Sequence, residues 1–275
     1  MNINWYPGHM TRARRMLDEA VRQVDVVCEV LDARIPVSSR NPDLSGFNKP
    51  TLIVLNRADQ AEPSVTALWK KEFPNAVETS AGKPGGAKSV IPAVKTLLVE
   101  KLAKRAGNRE IRLLIAGVPN VGKSTLINSI AGGRRAVTGD KPGVTRGKQW
   151  ISAGGGVVLL DTPGLLWPKL DGEFTGLHLA FTGAIKHEVL DVEGVAAKLL
   201  ERLTELYPDR LRERYGGDLQ GSGFEMLEFV ARMRGFLLPG AEIDIERCAR
   251  MLLDEFRGGK LGRVSLERPD DNLRS

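Results

Sequence analysis

The sequence has few cysteines and no long apolar run. Its 275 residues include two cysteines, Cys28 and Cys248, which lie far apart in apolar surroundings. This pattern predicts two core thiols and argues against a disulfide framework or a cysteine zinc site. No apolar run approaches the roughly 20 residues of a membrane span, and residues 1–5 lack the charged and apolar regions of a secretory signal. These absences predict a cytoplasmic protein that does not contact a membrane.

The composition that remains is that of a soluble globular protein. Apolar residues make up 42% of the chain and charged residues 27%, as in ordinary globular domains. The net charge of +6 is compatible with a polyanionic partner such as RNA, but it is too moderate to require one. Residues 11–23 combine arginines with a helical apolar period, and this basic face fits either solvent or an RNA contact.

The central motif of the chain is a phosphate-binding loop at residues 117–125. Its sequence, GVPNVGKST, matches the pattern G-x-x-x-x-G-K-S/T, in which Lys123 reaches the β- and γ-phosphates. The apolar run 111–116 predicts a buried strand before the loop, and the residues after the loop predict a helix. Backbone N–H groups of the loop and the helix N-terminus would then hold phosphate oxygens. The predicted phosphate-binding residues are Asn120, Val121, Gly122, Lys123, Ser124 and Thr125.

A second motif predicts the metal ion and the γ-phosphate contact. Residues 161–164 fit D-x-x-G and follow the second strand of a predicted hairpin. Asp161 would hold Mg²⁺ through water, and the Gly164 N–H would contact the γ-phosphate. Ser124 would offer its hydroxyl to Mg²⁺, and Thr145 is positioned to close over the metal ion when a γ-phosphate is present. Ser124, Thr145 and Asp161 are therefore the predicted Mg²⁺ residues.

Residues 56–59 resemble the guanine-recognition motif N-K-x-D, with arginine in place of lysine. The Asp59 carboxylate can accept two hydrogen bonds from guanine N1–H and N2–H₂, and adenine offers no such pair. The stem of Arg57 would cover one face of the base, and residues 80–81 would add a backbone N–H to guanine O6. A plain turn at a strand end is the alternative, because Asn and Asp favour such turns. The predicted guanine-binding residues are Asn56, Arg57, Asp59, Ser80 and Ala81.

The order of these motifs is unusual, because the guanine motif precedes the phosphate loop. Strand patterns at residues 24–31, 51–55 and 76–78 alternate with helical patterns, which predicts parallel β–α–β units. Ligands bind beyond the carboxyl ends of such strands, so a circular permutation leaves every motif at one edge of the sheet. The predicted fold class is α/β: a circularly permuted Ras-like P-loop GTPase domain with a mostly parallel sheet and helices on both faces, followed by a small all-α domain.

The alternation of strands and helices stops near residue 172. Only helical patterns follow, at residues 195–206, 224–236 and 243–256. We therefore expect a GTPase domain at residues 1–172 and a helical domain at residues 173–275. Because the D-x-x-G segment leads directly into the helical domain, the nucleotide state could move that domain as a lever.

Taken in this order, the motifs resemble those of the RbgA/YlqF family of circularly permuted ribosome-biogenesis GTPases. W-Y-P-G-H-M at residues 5–10 and L-D-A-R-I-P at residues 31–36 carry the resemblance together with the three nucleotide motifs, and it covers nearly the whole chain. It implies a protein that binds GTP and GDP, hydrolyses GTP and assists late maturation of the large ribosomal subunit. It also implies rRNA binding by the helical domain at residues 173–275 and stimulation of hydrolysis by the subunit. We further expect a monomer in isolation.

The resemblance further implies the catalytic residue and the cofactors. Many GTPases orient the attacking water with a glutamine after D-x-x-G, but Leu165 stands at that place here. The family gives this role to the histidine of W-Y-P-G-H-M, which is His9 in this chain; a structural hydrogen bond is the alternative. Asn120 lies where related potassium-activated GTPases bind K⁺, so the implied cofactors are Mg²⁺ and K⁺.

Two departures from the family pattern bear on guanine selectivity, and two other functions stay open. Arg57 replaces the usual lysine, and Gly82 stands where family members often have lysine. The first alternative function is a nucleotide-gated RNA-binding module that acts on another RNA or ribonucleoprotein, with hydrolysis only resetting binding. The second is a metabolic P-loop ATPase or kinase. Asp59 argues against that second function, as does the lack of an acceptor-substrate motif.

Overall fold

The computed structural model describes residues 7–44, 46–99, 103, 110–133, 149–162, 173–185 and 191–270, with the backbone alone for residues 7–14 and 173. The described strands are β1 (Val26–Asp32), β2 (Thr51–Asn56), β3 (Ala76–Glu78), β4 (Ile111–Ala116), β5 (Gln149–Gly154) and β6 (Val157–Asp161). The described helices are α1 (Pro7–Arg22), α2 (Pro63–Glu72), α3 (Val90–Leu97), α4 (Lys123–Ala131), α5 (Glu173–Phe181), α6 (Val192–Leu206), α7 (Pro208–Tyr215), α8 (Gly223–Met233) and α9 (Ile245–Arg257), with a short 3-10 helix at Pro42–Leu44.

The described strands form a single sheet in the order β3-β2-β1-β4-β6-β5. Neighbouring strands are parallel from β3 to β6, and β5 pairs antiparallel with β6. β1 is buried along its whole length because it lies between β2 and β4 and is covered on both faces, which explains its nearly continuous apolar sequence. The strands that carry the guanine motif, β2 and β3, thus precede β4 in the chain, and in the sheet β1 separates them from β4. The predicted permuted α/β fold is confirmed.

Helices cover both faces of the sheet. On one face α1 packs on the sheet with Leu17 and Val21, and α2 packs with Val65 and Trp69. On the other face the sheet shares one continuous apolar cluster with α3, α4 and the C-terminal helices. The boundary at residues 172 and 173 stays a prediction. Among the residues that the structure describes, no helix is long and apolar enough to cross a bilayer.

Buried polar contacts also join the C-terminal part to the segment that follows β1. The Arg34 side chain is fully buried and donates from Nη1 to the Phe256 carbonyl oxygen at 2.7 Å. The Glu267 carboxylate accepts the Ser38 backbone N–H at 3.1 Å and lies 2.8 Å from His178 Nδ1. His178 therefore contributes to the packing between these segments.

Glu29 is a buried carboxyl group in the middle of β1. It is 2% exposed, its Oε1 accepts the Asn41 backbone N–H at 2.8 Å, and its Oε2 lies 3.7 Å from Arg40 Nε. Burial raises the pKa of Glu29 from its usual value to about 7, and the contacts with Asn41 and Arg40 only partly oppose that shift. The folded chain therefore favours the protonated form of Glu29 more than the unfolded chain does.

We expect Glu29→Gln to remove part of the pH dependence of stability. Since the pKa of Glu29 is higher in the folded than in the unfolded chain, its contribution to the free energy of unfolding is fully present below about pH 4.5. That contribution falls as the pH rises through 7. Wild type should lose about 2–3 kcal/mol more than Glu29→Gln between pH 5 and pH 8. Urea unfolding at both pH values measures this difference, and parallel curves for the two proteins would contradict it.

Candidate nucleotide-binding site

The phosphate loop connects the carboxyl end of β4 to the first turn of α4, as predicted. Two of its glycines are required by close contacts. Gly117 has φ +154°, and a Cβ there would lie 2.5 Å from the Val30 carbonyl oxygen. Gly122 has φ +97°, and a Cβ there would strike the Asn56 side-chain amide. The loop backbone can therefore approach β1 and β2 closely while its helix N-terminus stays available for phosphate.

Lys123 is the first residue of α4 and is buried, with 7% of its surface exposed. Its Nζ donates to the Gly117 and Val118 carbonyl oxygens at 3.0 and 2.8 Å, so the side chain curves back over the loop. Burial lowers the pKa of Lys123 to about 8, and the charge of Asp161 opposes this shift. A phosphate bound in the loop would add negative charge beside this ammonium group and favour its protonated form.

Asn56 connects the phosphate loop to the second guanine-recognition segment. It is 2% exposed at the end of β2, and its Nδ2 donates to the Val121 carbonyl oxygen at 2.9 Å. Its Oδ1 accepts from Thr79 Oγ1 at 3.0 Å and from the Ala81 N–H at 3.2 Å. The buried amide of Asn56 thus joins the end of β2 to the phosphate loop and to the segment that follows β3. Whether Asn56 also contacts guanine stays a prediction.

Asp59 and Ser80 lie next to each other, as the guanine prediction requires. The Asp59 backbone N–H donates to Ser80 Oγ at 3.2 Å, and an Asp59 carboxylate oxygen lies 3.3 Å from Lys83 Nζ. Asp59 and Ser80 both line an open cavity of about 570 Å³, which is also lined by β3 and α2, and this volume is within the usual range for small-molecule sites. A space large enough for a purine therefore adjoins Asp59, and the role of this residue in binding guanine stays a prediction.

Arg57 contacts the phosphate loop and the helical part at the same time. Its backbone is left-handed, with φ +59°. Its Nη2 donates to the Asn120 carbonyl oxygen at 2.7 Å, and its Nη1 donates to the Arg257 carbonyl oxygen at 3.2 Å. Asn120 in turn donates from Nδ2 to the Gly183 carbonyl oxygen at 2.7 Å. Sequence reasoning missed Arg257 and Gly183, because no local motif marks either residue.

Comparison with known proteins agrees with this geometry. The model of a family described as 50S ribosome-binding GTPase matches residues 112–206. Ribosome biogenesis GTPase A of Bacillus cereus is 44% identical, and the match covers 98% of this chain and 95% of that protein. The chain belongs to the ribosome biogenesis GTPase A family. The RbgA/YlqF resemblance is thereby confirmed, and the chain is a GTPase.

Solved structures of a member of the family are similar over nearly the whole chain. A GDP-bound structure of TM YlqF has a TM-score of 0.67 and 32% identity, and the match covers 93% of this chain and 99% of that one. A GNP-bound structure of YlqF from T. maritima also has a TM-score of 0.67, with 33% identity, and the match covers 94% of this chain and 99% of that one. The similarity therefore extends beyond the P-loop region to the helical C-terminal part.

Two of the residues predicted to bind Mg²⁺ in this chain provide suitable oxygen donors. Ser124 lies in the first turn of α4, and Asp161 is the last residue of β6 and is 1% exposed. β6 pairs with β4, which places Asp161 opposite Ile115, two residues before the phosphate loop. A hydroxyl and a carboxylate are the hard oxygen ligands that Mg²⁺ prefers. The donor set at this edge of the sheet therefore fits the ion.

Several predicted site residues lie outside the described part of the chain. Thr145 and Gly164 fall in the segments 134–148 and 163–172, for which no structure is described. His9 lies in α1, where only the backbone is described as far as residue 14. The roles of these residues in binding Mg²⁺, contacting the γ-phosphate and orienting water stay predictions.

Proposed function

We propose that this GTPase assists late maturation of the large ribosomal subunit, binds rRNA, and hydrolyses GTP faster on the subunit. The observation that carries this proposal is the 44% identity to a ribosome biogenesis GTPase A over nearly the full length of both chains. The description of the matching family model, a 50S ribosome-binding GTPase, supports the same partner. We further propose that the protein acts in the cytoplasm and is a monomer in isolation.

The structure supports two subsites for the nucleotide at one edge of the sheet, one for its phosphates and one for its guanine base. Lys123 and the N–H groups at the start of α4 would hold the phosphates, because they present positive charge and backbone donors. Asp59 and Ser80 would hold guanine at the neighbouring strand ends. Asn56 would keep the two subsites at a constant distance, because it is bonded to both.

Hydrolysis requires water to attack the γ-phosphorus in line with the leaving oxygen of GDP. Mg²⁺, bound by Ser124, Thr145 and Asp161, would neutralise charge on the β- and γ-phosphates. We propose that His9 orients the attacking water, since Leu165 carries no group that could do so. Asn120 is the proposed K⁺ ligand, and a K⁺ ion there would supply a second positive charge.

The decisive experiment compares GTP turnover by wild type and His9→Ala, each with and without purified large subunits. We expect large subunits to stimulate the wild type. His9→Ala should lower the stimulated rate by about 10²–10⁴, because it loses the group that positions water, while GTP affinity stays unchanged. The same assay in K⁺ and in Na⁺ tests the cation proposal.

Small subunits provide the matched control for this experiment, since they are also rRNA–protein particles. Equal stimulation by both subunits would contradict the proposed partner, and an unchanged stimulated rate in His9→Ala would exclude His9 as the catalytic residue. The Arg57 contacts between the phosphate loop and the helical part favour one alternative, a nucleotide-gated RNA-binding module. A rate of GTP turnover that is the same with and without subunits, together with RNA binding that depends on the bound nucleotide, would favour that alternative.

A further inference from the structure

A set of side chains connects the phosphate loop to the ends of two helices in the C-terminal part. Arg57 donates to the carbonyl oxygens of Asn120, in the phosphate loop, and of Arg257, the last residue of α9. Asn120 donates from its side chain to the carbonyl oxygen of Gly183, which lies two residues after the end of α5. These contacts join the guanine motif, the phosphate loop, α5 and α9.

Arg257 closes these contacts into a ring. Its Nε donates to the Phe181 carbonyl oxygen at 2.9 Å and its Nη2 donates to the Ala180 carbonyl oxygen at 2.8 Å. Both carbonyl groups belong to the last turn of α5, next to Gly183. We call Arg57, Asn120, Gly183 and Arg257 the hydrogen-bond ring. A path through it starts at the phosphate loop, passes through α5 and α9, and returns to the phosphate loop.

The ring is chemically favourable because it places cations at helix C-termini. The last carbonyl groups of a helix lack partners within the helix and carry partial negative charge. Guanidinium groups supply charged donors to the ends of both α5 and α9, and charged donors form the stronger hydrogen bonds. The Arg57 side chain is 23% exposed and that of Arg257 16% exposed. Water therefore screens these contacts less than it would screen a surface pair.

The backbone of the ring is sensitive to its surroundings. Arg57 and Asn120 have φ of +59° and +57°, a left-handed conformation that is uncommon for residues with a side chain. Such a conformation persists only where neighbouring contacts hold it. Gly183 also has a positive φ, and a Cβ there would lie 3.2 Å from Arg257 Nε. The contacts of the ring therefore help to define the conformation of Asn120 in the phosphate loop.

We propose that Arg257 is a positioning residue of the nucleotide site, which acts through Arg57 and Gly183 on Asn120. Nucleotide binding in turn orders the C-terminal ends of α5 and α9, because linkage between two sites is reciprocal. The proposal rests on GTP binding at the phosphate loop under the proposed function. It assigns to Arg57 a task that suits arginine better than the usual lysine of this motif. A lysine carries all its donors on one nitrogen at the end of a shorter side chain, so it cannot occupy both positions that Arg57 Nη1 and Nη2 hold.

The test is hydrogen–deuterium exchange of the full chain, read at residues 176–185 and 254–262, without nucleotide and with GDP or a non-hydrolysable GTP analogue. In wild type we expect nucleotide to slow exchange at both segments roughly 5-fold or more, the lower range of measured couplings. Arg257→Ala should remove this nucleotide effect and weaken GTP binding by a similar factor. The preference for GTP over ATP should stay, because Asp59 is untouched.

Arg57→Lys is the second variant, since it keeps the charge but has one nitrogen in place of the two that contact Asn120 and Arg257. At saturating nucleotide we expect it to lose the nucleotide effect on exchange. Arg202→Ala is the matched control. Its side chain is 21% exposed and donates from Nη2 to the Leu266 carbonyl oxygen at 3.0 Å, outside the ring. A purely structural loss raises exchange equally with and without nucleotide, so Arg202→Ala should keep the nucleotide effect.

Two results would overturn the proposal. The first is a wild type that binds GTP selectively but shows no nucleotide effect on exchange at these segments. The second is a nucleotide effect of wild-type size in Arg57→Lys or in Arg257→Ala. A wild type that does not bind GTP would overturn the proposed function and the ring together, so the binding measurement separates the two failures.

Discussion

Lys123→Ala is expected to lower GTP turnover by about 10²–10³, the usual cost of removing one preorganised donor to a reacting group. Nothing else described in the phosphate loop can replace its charge. Lys123 is buried at the N-terminus of α4 and already lies over the loop, with its Nζ on the Gly117 and Val118 carbonyl oxygens. Single-turnover kinetics with saturating GTP measures the loss.

Lys71→Ala is the control for this prediction, because Lys71 is exposed on α2 and does not line the nucleotide site. It should turn over GTP at the wild-type rate. A Lys123→Ala protein that keeps most of its turnover would show that the phosphates bind elsewhere.

Asp59→Asn should change the base preference of the protein from guanine to xanthine. The carboxylate has two acceptors for guanine N1–H and N2–H₂, whereas the amide has one acceptor and one donor. Guanine then faces a mismatched donor, and such sites reject a mismatched base strongly. Xanthine carries a carbonyl oxygen at C2, which accepts from the amide while its N1–H still donates.

We expect GTP affinity to fall by at least about 10² in Asp59→Asn, with xanthosine triphosphate binding recovered. Competition binding against a fluorescent GDP analogue measures both effects. Lys83→Ala is the companion variant. It removes the cation 3.3 Å from the Asp59 carboxylate without altering the acceptors, so it should keep guanine selectivity. Unchanged GTP affinity in Asp59→Asn would place the base away from residues 56–59.

The sequence predicted the centre of the sheet well because its strands are buried there. β4 lies where its apolar run predicted it, and β1 and β2 lie within two residues of their predicted ranges, since central parallel strands need apolar side chains on both faces. Two helices were not predicted. α5 contains Gly176 and an irregular apolar spacing, and α7 is a short, mostly charged helix in which Leu211 and Tyr215 are the buried residues. Patterns that short carry too little periodicity to indicate a helix.

The candidate site was predicted as far as its motifs are local. The residues of the phosphate loop and of the guanine motif are adjacent in sequence, so their spacing already indicates their chemistry. Other contacts of the site join residues that are far apart in the chain. These are the hydrogen bonds of Asn56 with Val121 and of Arg57 with Arg257. Arg257 ends an amphipathic helix that looks ordinary in sequence. Such contacts depend on how the helical part packs, which no local pattern records.

The position of β1 has a consequence for synthesis on the ribosome. β1 is the first described strand to be made, yet it lies in the middle of the sheet, between β2 and β4. A nascent chain that ends before β4 therefore has an unpaired edge of apolar strand, and such edges promote association with other chains. The strand that covers this edge of β1 is β4, which also leads into the phosphate loop. GTP consequently cannot stabilise the growing chain by binding until β4 has been made and the edge of β1 can be covered.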